Sequence, residues 1–216
     1  MIGKRHNETD KQVNYWVHVT ERCNWTCTYC IANTHTSPKT EQDKVLKMIS
    51  KIPDGSFISL TGGEIGMLDK SEIDDIFNLT KSKNLTVCVD TNGMFLRKFP
   101  EYYNYVFDYF YHCSEKLLTS DEIFIDDPDN KISYMIVVDN ENYDRSFEFI
   151  KKHDILFHVH GAMKNKISVV NLDRMNALKL FHFCSKQSNV NREHLKYILN
   201  YYSSENDNEY LDSRKC

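Results

Sequence analysis

The sequence predicts an α/β fold in which parallel strands alternate with helices. Short apolar runs of strand length recur along the chain, and stretches with helical periodicity separate them. Turn-forming residues end several of the apolar runs, for example at 61–64 and 91–93. No internal repeat or low-complexity segment interrupts this order. Such alternation is typical of β/α units whose strands lie parallel in one sheet.

Each predicted strand is a short run rich in apolar, aromatic or β-branched residues, which favour the extended conformation. In chain order, the predicted strands are 15–20, 57–60, 86–90, 106–113, 132–138 and 155–161. The second and third strands run directly into glycine-containing turns, so polar side chains are expected where those strands end.

Each predicted helix shows helical spacing of its apolar residues and is bounded by capping or turn residues. In chain order, the predicted helices are about 41–52, 70–82, 143–153, 173–183 and 191–202. The turn at 53–55, Pro-Asp-Gly, ends the first of them, and Asp69 or Ser71 is the expected N-cap of the second.

Composition predicts one globular domain. The chain has 216 residues, of which 41% are hydrophobic and 27% charged, with a net charge of −4. We expect a single core domain over 1–216, with a polar N-terminal segment at 1–11 and an acidic C-terminal tail at 203–216. No long basic run predicts a groove for a nucleic-acid backbone, and no apolar stretch approaches the roughly 20 residues that span a bilayer. Without an apolar signal core at the N-terminus, a cytoplasmic location is expected.

Three cysteines stand close together in the segment after the first predicted strand. Cys23, Cys27 and Cys30 follow the spacing C-x3-C-x2-C. Three thiolates in one short loop suit three corners of a cubane iron–sulfur cluster and leave one iron open. That arrangement differs from a four-cysteine electron-transfer cluster and from a closed four-ligand zinc site.

The other four of the seven cysteines are dispersed and form no C-x2-C pair: Cys88, Cys113, Cys184 and Cys216. Cysteines inside apolar runs are usually small buried hydrophobes, so a second cluster is not expected. The length of the chain and the tight triplet also favour a reducing compartment over a disulfide framework.

The cysteine segment resembles the cluster-binding loop of the radical SAM enzymes, whose signature is C-x3-C-x-aromatic-C. Tyr29 takes the aromatic position, which places it among the expected cofactor-binding residues, and Asn24 follows the first cysteine. The resemblance implies a [4Fe–4S] cluster whose open iron binds the methionyl amine and carboxylate of S-adenosylmethionine (SAM). One electron then cleaves the sulfonium and yields a 5′-deoxyadenosyl radical.

The turn after the second strand gives an independent sign of the same family. Gly62, Gly63 and Glu64 resemble the G-G-E motif that contacts the methionyl amine of SAM in radical SAM enzymes. Glycines allow close backbone approach and positive φ, and the carboxylate suits an ammonium group. A tight turn with a solvated glutamate is the alternative when the motif is taken alone.

The resemblance also implies an architecture and partners. Radical SAM enzymes have a partial (β/α)6 TIM-like barrel, which matches the six predicted β/α units. An electron donor such as flavodoxin or ferredoxin is implied, together with a substrate at the carboxyl ends of the strands.

Weaker candidates for cofactor binding follow three other strands. Asn92 lies in a Thr-Asn-Gly turn that resembles one found in many radical SAM enzymes, although such a turn needs no ligand. Ser114 and Glu115 follow the fourth strand and Asn140 follows the fifth, where family members often place polar groups near SAM. The alternative is that these three are exposed polar residues at the start of a loop and contact no ligand.

Two histidines alternate along the sixth predicted strand and are the candidate catalytic residues. His158 and His160 are two positions apart, so they share a face, and the apolar Phe157 and Val159 share the other. If the apolar face packs on helices, both histidines point inward, where they bind substrate or transfer protons. A satisfied core role is the alternative.

Three functions are compatible with these residues. The first hypothesis is a radical SAM enzyme that abstracts hydrogen from a small molecule such as a nucleoside or other metabolite. The second is a radical SAM enzyme that modifies or activates a peptide or protein. The third is a non-enzymatic metal-binding protein in which a distant cysteine closes the site. The subfamily, and with it the substrate, is not identified.

Overall fold

The computed structural model describes ten stretches of the chain: residues 2–6, 13–27, 30, 41–113, 125–153, 157–161, 163–164, 169–170, 174–188 and 190–191. The chain divides into two compact units. Unit 1 comprises Met1–His112 with Glu122–Ser133, and unit 2 comprises Cys113–Asp121 with Tyr134–Cys216. Each unit is described by itself, and the single-domain organisation stays a prediction.

The strands of unit 1 form a sheet in which neighbours in the chain are neighbours in space. They are β1 (Ile2–His6), β2 (Val13–Thr20), β3 (Phe57–Gly62), β4 (Thr86–Thr91) and β5 (Asp108–His112). From β2 to β5 all pairings are parallel, and β1 pairs antiparallel with β2. The carboxyl ends of β2 to β5 therefore lie along one edge of the sheet, where parallel α/β folds bind ligands.

Among the described residues of unit 1, the connections between strands contain three α-helices and two short 3₁₀ helices. The α-helices are α1 (Gln42–Ser50), α2 (Lys70–Ser82) and α3 (Met94–Lys98), and the 3₁₀ helices are Ile65–Met67 and Pro100–Tyr105. Asp69 is the N-cap of α2 and forms a capping box with Glu72, whose carboxylate accepts the Asp69 N–H at 2.9 Å.

The two faces of the unit 1 sheet differ in polarity. Val89 and Tyr109, cross-strand neighbours of β4 and β5, are fully buried, and the Tyr109 ring lies 6.4 Å from that of Phe95 in α3. Side chains at the alternate positions point away from this layer and are partly exposed. We call this second surface the open face; its members in β4 and β5 are Cys88, Asp90, Asp108, Phe110 and His112.

Unit 2 repeats the β/α pattern. Its strands are β6 (Ile132–Val138, from Tyr134 onward), β7 (Phe157–Gly161) and β10 (Val190–Asn191), all parallel, together with the two-residue hairpin strands β8 (Met163–Lys164) and β9 (Val169–Val170). Its helices are α4 (Tyr143–Lys152) and α5 (Arg174–Lys186). Among the helices of the described ranges, none has both the length and the apolar character needed to cross a membrane.

Most predicted elements are present, and the exceptions have physical causes. Strand β1 lies in the segment expected to be only polar, because a strand at the edge of a sheet pairs through its backbone and needs no apolar alternation. The predicted helix from 191 is wrong at its start, since Asn191 pairs with His158 of β7 as a strand residue. The remainder of that helix lies outside the described residues.

Candidate functional site

The cysteine loop begins where β2 ends. Cys23, Cys27 and Cys30 form no disulfide among the described residues, and all three are partly exposed. The N–H of Cys30 donates to the carbonyl of Cys27 at 3.0 Å, which closes a tight turn between two of the thiols. The three thiols of the loop therefore follow the carboxyl end of β2, at the edge of the unit 1 sheet where β2 to β5 end.

The turn that follows β3 holds the start of the cysteine loop against the sheet. The N–H of Gly63 donates to Thr20 at 2.7 Å, and the N–H of Glu64 donates to Arg22 at 2.8 Å. A Cβ on Gly63 would lie 2.0 Å from the Arg22 carbonyl oxygen, and one on Gly62, where φ is +122°, would lie 2.4 Å from that of Thr20. The close approach that the sequence predicts is therefore made to the chain's own cysteine loop.

The Glu64 carboxylate joins the ends of β3 and β4. One oxygen accepts the N–H groups of Gly66 at 2.8 Å and Phe95 at 3.0 Å, and the other accepts the N–H of Asn92 at 2.6 Å. The Thr91 hydroxyl lies 2.9 Å from both oxygens. Glu64 is 1% exposed. Each of these hydrogen bonds has Glu64 as its acceptor, and such an arrangement favours the ionised form of a carboxyl group.

Burial raises the pKa of the Glu64 carboxyl above its ordinary value, and the hydrogen bonds that it accepts oppose this rise. Both oxygens are already engaged within the chain. The predicted contact of Glu64 with the methionyl amine stays a prediction, because the hydrogen bonds described here neither require nor exclude it.

Asn92 connects the end of β4 to the first cysteine. Its side-chain nitrogen lies 2.8 Å from Oδ1 of Asn24 and 3.8 Å from the sulfur of Cys23. The Cys23 sulfur also accepts the N–H of Trp25 at 3.4 Å. The Thr-Asn-Gly turn and the cysteine loop are therefore parts of one site, although Asn92 is 68 residues from Asn24 and 69 from Cys23 along the chain.

The donor set fits an iron–sulfur cluster. Burial raises the pKa of the Cys23 thiol, and the nearby Glu64 and Cys30 add to this rise, whereas the backbone N–H groups of Trp25 and Asn24 oppose it. The N–H groups of Trp25 and Asn92 that approach the sulfur suit a thiolate ligand. Within the described ranges, no three His, Cys, Asp or Glu side chains are grouped closely enough to hold one metal ion. A [4Fe–4S] cluster does not need such grouping, because each thiolate binds a different iron.

The open face carries polar residues that the motif search missed. Nε2 of His112 lies 3.9 Å from Oδ1 of Asp90, and Ser59 donates its hydroxyl to Oδ2 of Asp90 at 3.4 Å. The Asp90 and His112 side chains are 25% and 40% exposed and lie close to the carboxyl ends of β4 and β5. Strand alternation in 86–91 and 108–112 was the signal that would have found them.

The two sides of β7 differ in burial within unit 2. Phe157 and Val159 are fully buried, and the Phe157 ring lies 5.6 Å from that of Phe149 in α4. His158 and His160 occupy the alternate positions and are partly exposed, so their side chains lie on the face opposite α4. Their catalytic role stays a prediction.

The remaining candidates are only partly described. Asn140 is exposed, and its side-chain oxygen accepts from the amide of Asn176 at 3.1 Å. Tyr29, Ser114 and Glu115 lie outside the described residues.

A family model agrees with the geometry of this site. The model described as "Radical SAM superfamily" matches residues 17–153, which is more than half of the chain. No curated protein matches the chain.

Solved structures with a similar fold include three of one protein. The first is native anSMEcpe with bound AdoMet and Cp18Cys peptide; it has a TM-score of 0.56 and 14% sequence identity, and the match covers 81% of this chain and 62% of that one. Native anSMEcpe with bound AdoMet has the same score and identity over 78% and 59%. His6-tagged anSMEcpe with bound AdoMet matches over 78% and 57%.

The chain thus spans about six tenths of the length of these structures. At this level of identity the likeness shows the fold alone. The predicted fold class, an α/β partial barrel of the radical SAM type, is confirmed.

Proposed function

Because this chain belongs to the radical SAM superfamily, whose members use a [4Fe–4S] cluster and SAM, we propose that Cys23, Cys27 and Cys30 hold that cluster. The observation that carries the proposal is the loop of three closely spaced thiols, which is bound to the carboxyl ends of β3 and β4 through Gly63 and Asn92. The proposed activity is reductive cleavage of SAM to a 5′-deoxyadenosyl radical, which abstracts a hydrogen atom from a substrate.

The cofactors supply the radical, and the chain's own residues position them. Gly62 and Gly63 hold the cysteine loop against β3, and Glu64 fixes the turn after β4. The Glu64 side chain is 1% exposed and already accepts hydrogen bonds from the chain. A contact with the methionyl amine of SAM would therefore replace one of these hydrogen bonds. The remaining proposed cofactor contacts are Tyr29, Asn92, Ser114, Glu115 and Asn140.

A small polar molecule is the proposed substrate. The open face of unit 1 offers a carboxylate, an imidazole and a hydroxyl beside the ring of Phe110, which favours a polar compound with an apolar part. A nucleoside or similar metabolite has this character. Flavodoxin or ferredoxin is the proposed electron donor, and a cytoplasmic location stays a prediction.

A peptide is the second candidate substrate. The solved structure of anSMEcpe with bound AdoMet contains the Cp18Cys peptide, and its fold is similar to that of this chain. The non-enzymatic alternative loses its support, because the family model that matches the chain describes a superfamily of enzymes.

Isotope transfer distinguishes the two substrate classes. An extract of cells grown on deuterated nutrients is first separated by ultrafiltration into a small-metabolite fraction and a polypeptide fraction. The reconstituted and reduced protein is then incubated with SAM and each fraction in turn. Deuterium in the 5′-deoxyadenosine formed with the small-metabolite fraction supports the small-molecule proposal. Deuterated 5′-deoxyadenosine that forms only with the polypeptide fraction supports the peptide alternative. If neither fraction yields deuterated 5′-deoxyadenosine, both substrate proposals are contradicted.

The histidines of β7 give a prediction on the substrate side. We expect His160→Ala to lower deuterium transfer from the active fraction about tenfold or more, the cost of one charge-assisted hydrogen bond or proton transfer. Unlabelled 5′-deoxyadenosine should still form, because SAM cleavage needs only the cluster and an electron. His182→Ala, an exposed position of α5, is the matched control and should change neither product. Equal loss of both products in His160→Ala would contradict a role in substrate handling.

A further inference from the structure

We infer that Asn92 acts on the iron–sulfur cluster through Cys23: its side-chain amide donates an N–H···S hydrogen bond to this ligand and raises the reduction potential of the cluster. This inference rests on the proposed function, in which Cys23 is a cluster ligand. The observation behind it is the distance of 3.8 Å between Nδ2 of Asn92 and the sulfur of Cys23.

The orientation of the Asn92 amide follows from its neighbours. A primary amide has two N–H donors and one oxygen acceptor. The oxygen accepts the N–H of Met94 at 3.3 Å, and the nitrogen lies 2.8 Å from the side-chain oxygen Oδ1 of Asn24. The second N–H then points to the Cys23 sulfur, so both N–H groups have a partner within the chain, and the oxygen keeps one lone pair for a cofactor contact.

The backbone around Asn92 is fixed by contacts within the chain. Its N–H donates to Glu64 at 2.6 Å, and its side chain is buried. Gly93 follows with φ of +92°, where a Cβ would lie 2.8 Å from the ring of Tyr111. The Thr-Asn-Gly turn is therefore held in place by the chain itself, and Glu64 is a positioning residue for the amide.

Hydrogen bonds to cluster sulfur favour the reduced state. Reduction adds negative charge to the cluster and its thiolates, and an N–H donor stabilises that charge. The Cys23 sulfur has two kinds of such donor, the backbone N–H groups of Trp25 and Asn24 and the side chain of Asn92. Only the second can be removed by substitution without altering the backbone.

A redox titration of reconstituted protein tests the inference. At the midpoint potential of the parent protein, we expect Asn92→Ala to hold roughly threefold to tenfold less reduced relative to oxidised cluster, the value of one net hydrogen bond. Iron content should be unchanged. After exchange into D2O, the deuteron couplings that pulsed EPR detects at the reduced cluster should weaken in Asn92→Ala and persist in part through Trp25.

Two further variants make the outcome specific. Asn92→Asp keeps the side-chain size but removes the N–H donors, and it should lower the reduced fraction at least as much. Asn24→Ala removes the other partner of the amide but leaves the sulfur contact, so its reduced fraction should stay within twofold of the parent.

The failures are distinguishable. A parent protein that takes up no cluster contradicts the proposed function. A parent protein with a full cluster, together with Asn92 variants of unchanged potential and unchanged deuteron couplings, overturns this inference alone. An Asn24→Ala potential that falls as far as that of Asn92→Ala also overturns it, because loop placement would then explain both.

Discussion

Replacing Cys23, Cys27 or Cys30 by alanine, one at a time, is expected to abolish the [4Fe–4S] cluster. A cubane with two remaining protein ligands is poorly held, and no other cysteine in the described ranges is part of the loop. Iron and sulfide after anaerobic reconstitution should fall from about four per chain to background, and the visible absorption of the cluster should disappear.

The control for this prediction is a cysteine outside the loop. Cys184 is buried in α5, so Cys184→Ala should retain the full iron content even if it lowers the free energy of unfolding. A cluster that survives all three loop substitutions would contradict the assignment, as would one that is lost only on replacing Cys184.

Replacing Glu64 by alanine should strongly destabilise the protein even without its cofactors. The substitution leaves the buried N–H groups of Gly66, Asn92 and Phe95 without their acceptor, together with the Thr91 hydroxyl. Leaving a buried donor without its acceptor costs about 1–3 kcal/mol, and four donors lose their acceptor here. Urea unfolding of the cluster-free protein measures this loss directly.

Glu41→Ala is the matched control for Glu64→Ala. Its side chain is 67% exposed and forms an ion pair with the similarly exposed Lys44, so the free energy of unfolding should change by about 0.5 kcal/mol or less. If Glu64→Ala unfolds at the same urea concentration as the parent protein, the hydrogen-bond network of Glu64 does not contribute as described.

The regular elements of the fold were predictable because each carries a local signal. The helix over 70–82 and the strand over 132–138 have the predicted bounds, since spacing, caps and apolar runs define them. The antiparallel strand β1 was missed, because pairing at a sheet edge depends on a partner and leaves no apolar pattern. Helix α3 is only five residues long, too short for periodicity to reveal.

The site was predictable in its residues but not in its contacts. The spacing of the cysteines and the Gly-Gly-Glu turn pointed to two segments that the structure brings together. That Gly63 touches Arg22, and that Glu64 and Asn92 share a hydrogen bond, depends on how distant segments fold together. The Asp90–His112 pair was missed for the same reason, since it requires the parallel register of β4 and β5.

The central claim is that the loop of Cys23, Cys27 and Cys30 forms a cluster that cleaves SAM reductively. The most direct measurement is the quantity of methionine and 5′-deoxyadenosine released when the anaerobically reconstituted protein is mixed with SAM and dithionite. We expect the parent protein to release methionine and 5′-deoxyadenosine in equal amounts and Cys27→Ala to release neither. A parent protein with a complete, reduced cluster that leaves SAM intact, or that releases methylthioadenosine in place of 5′-deoxyadenosine, would contradict the claim.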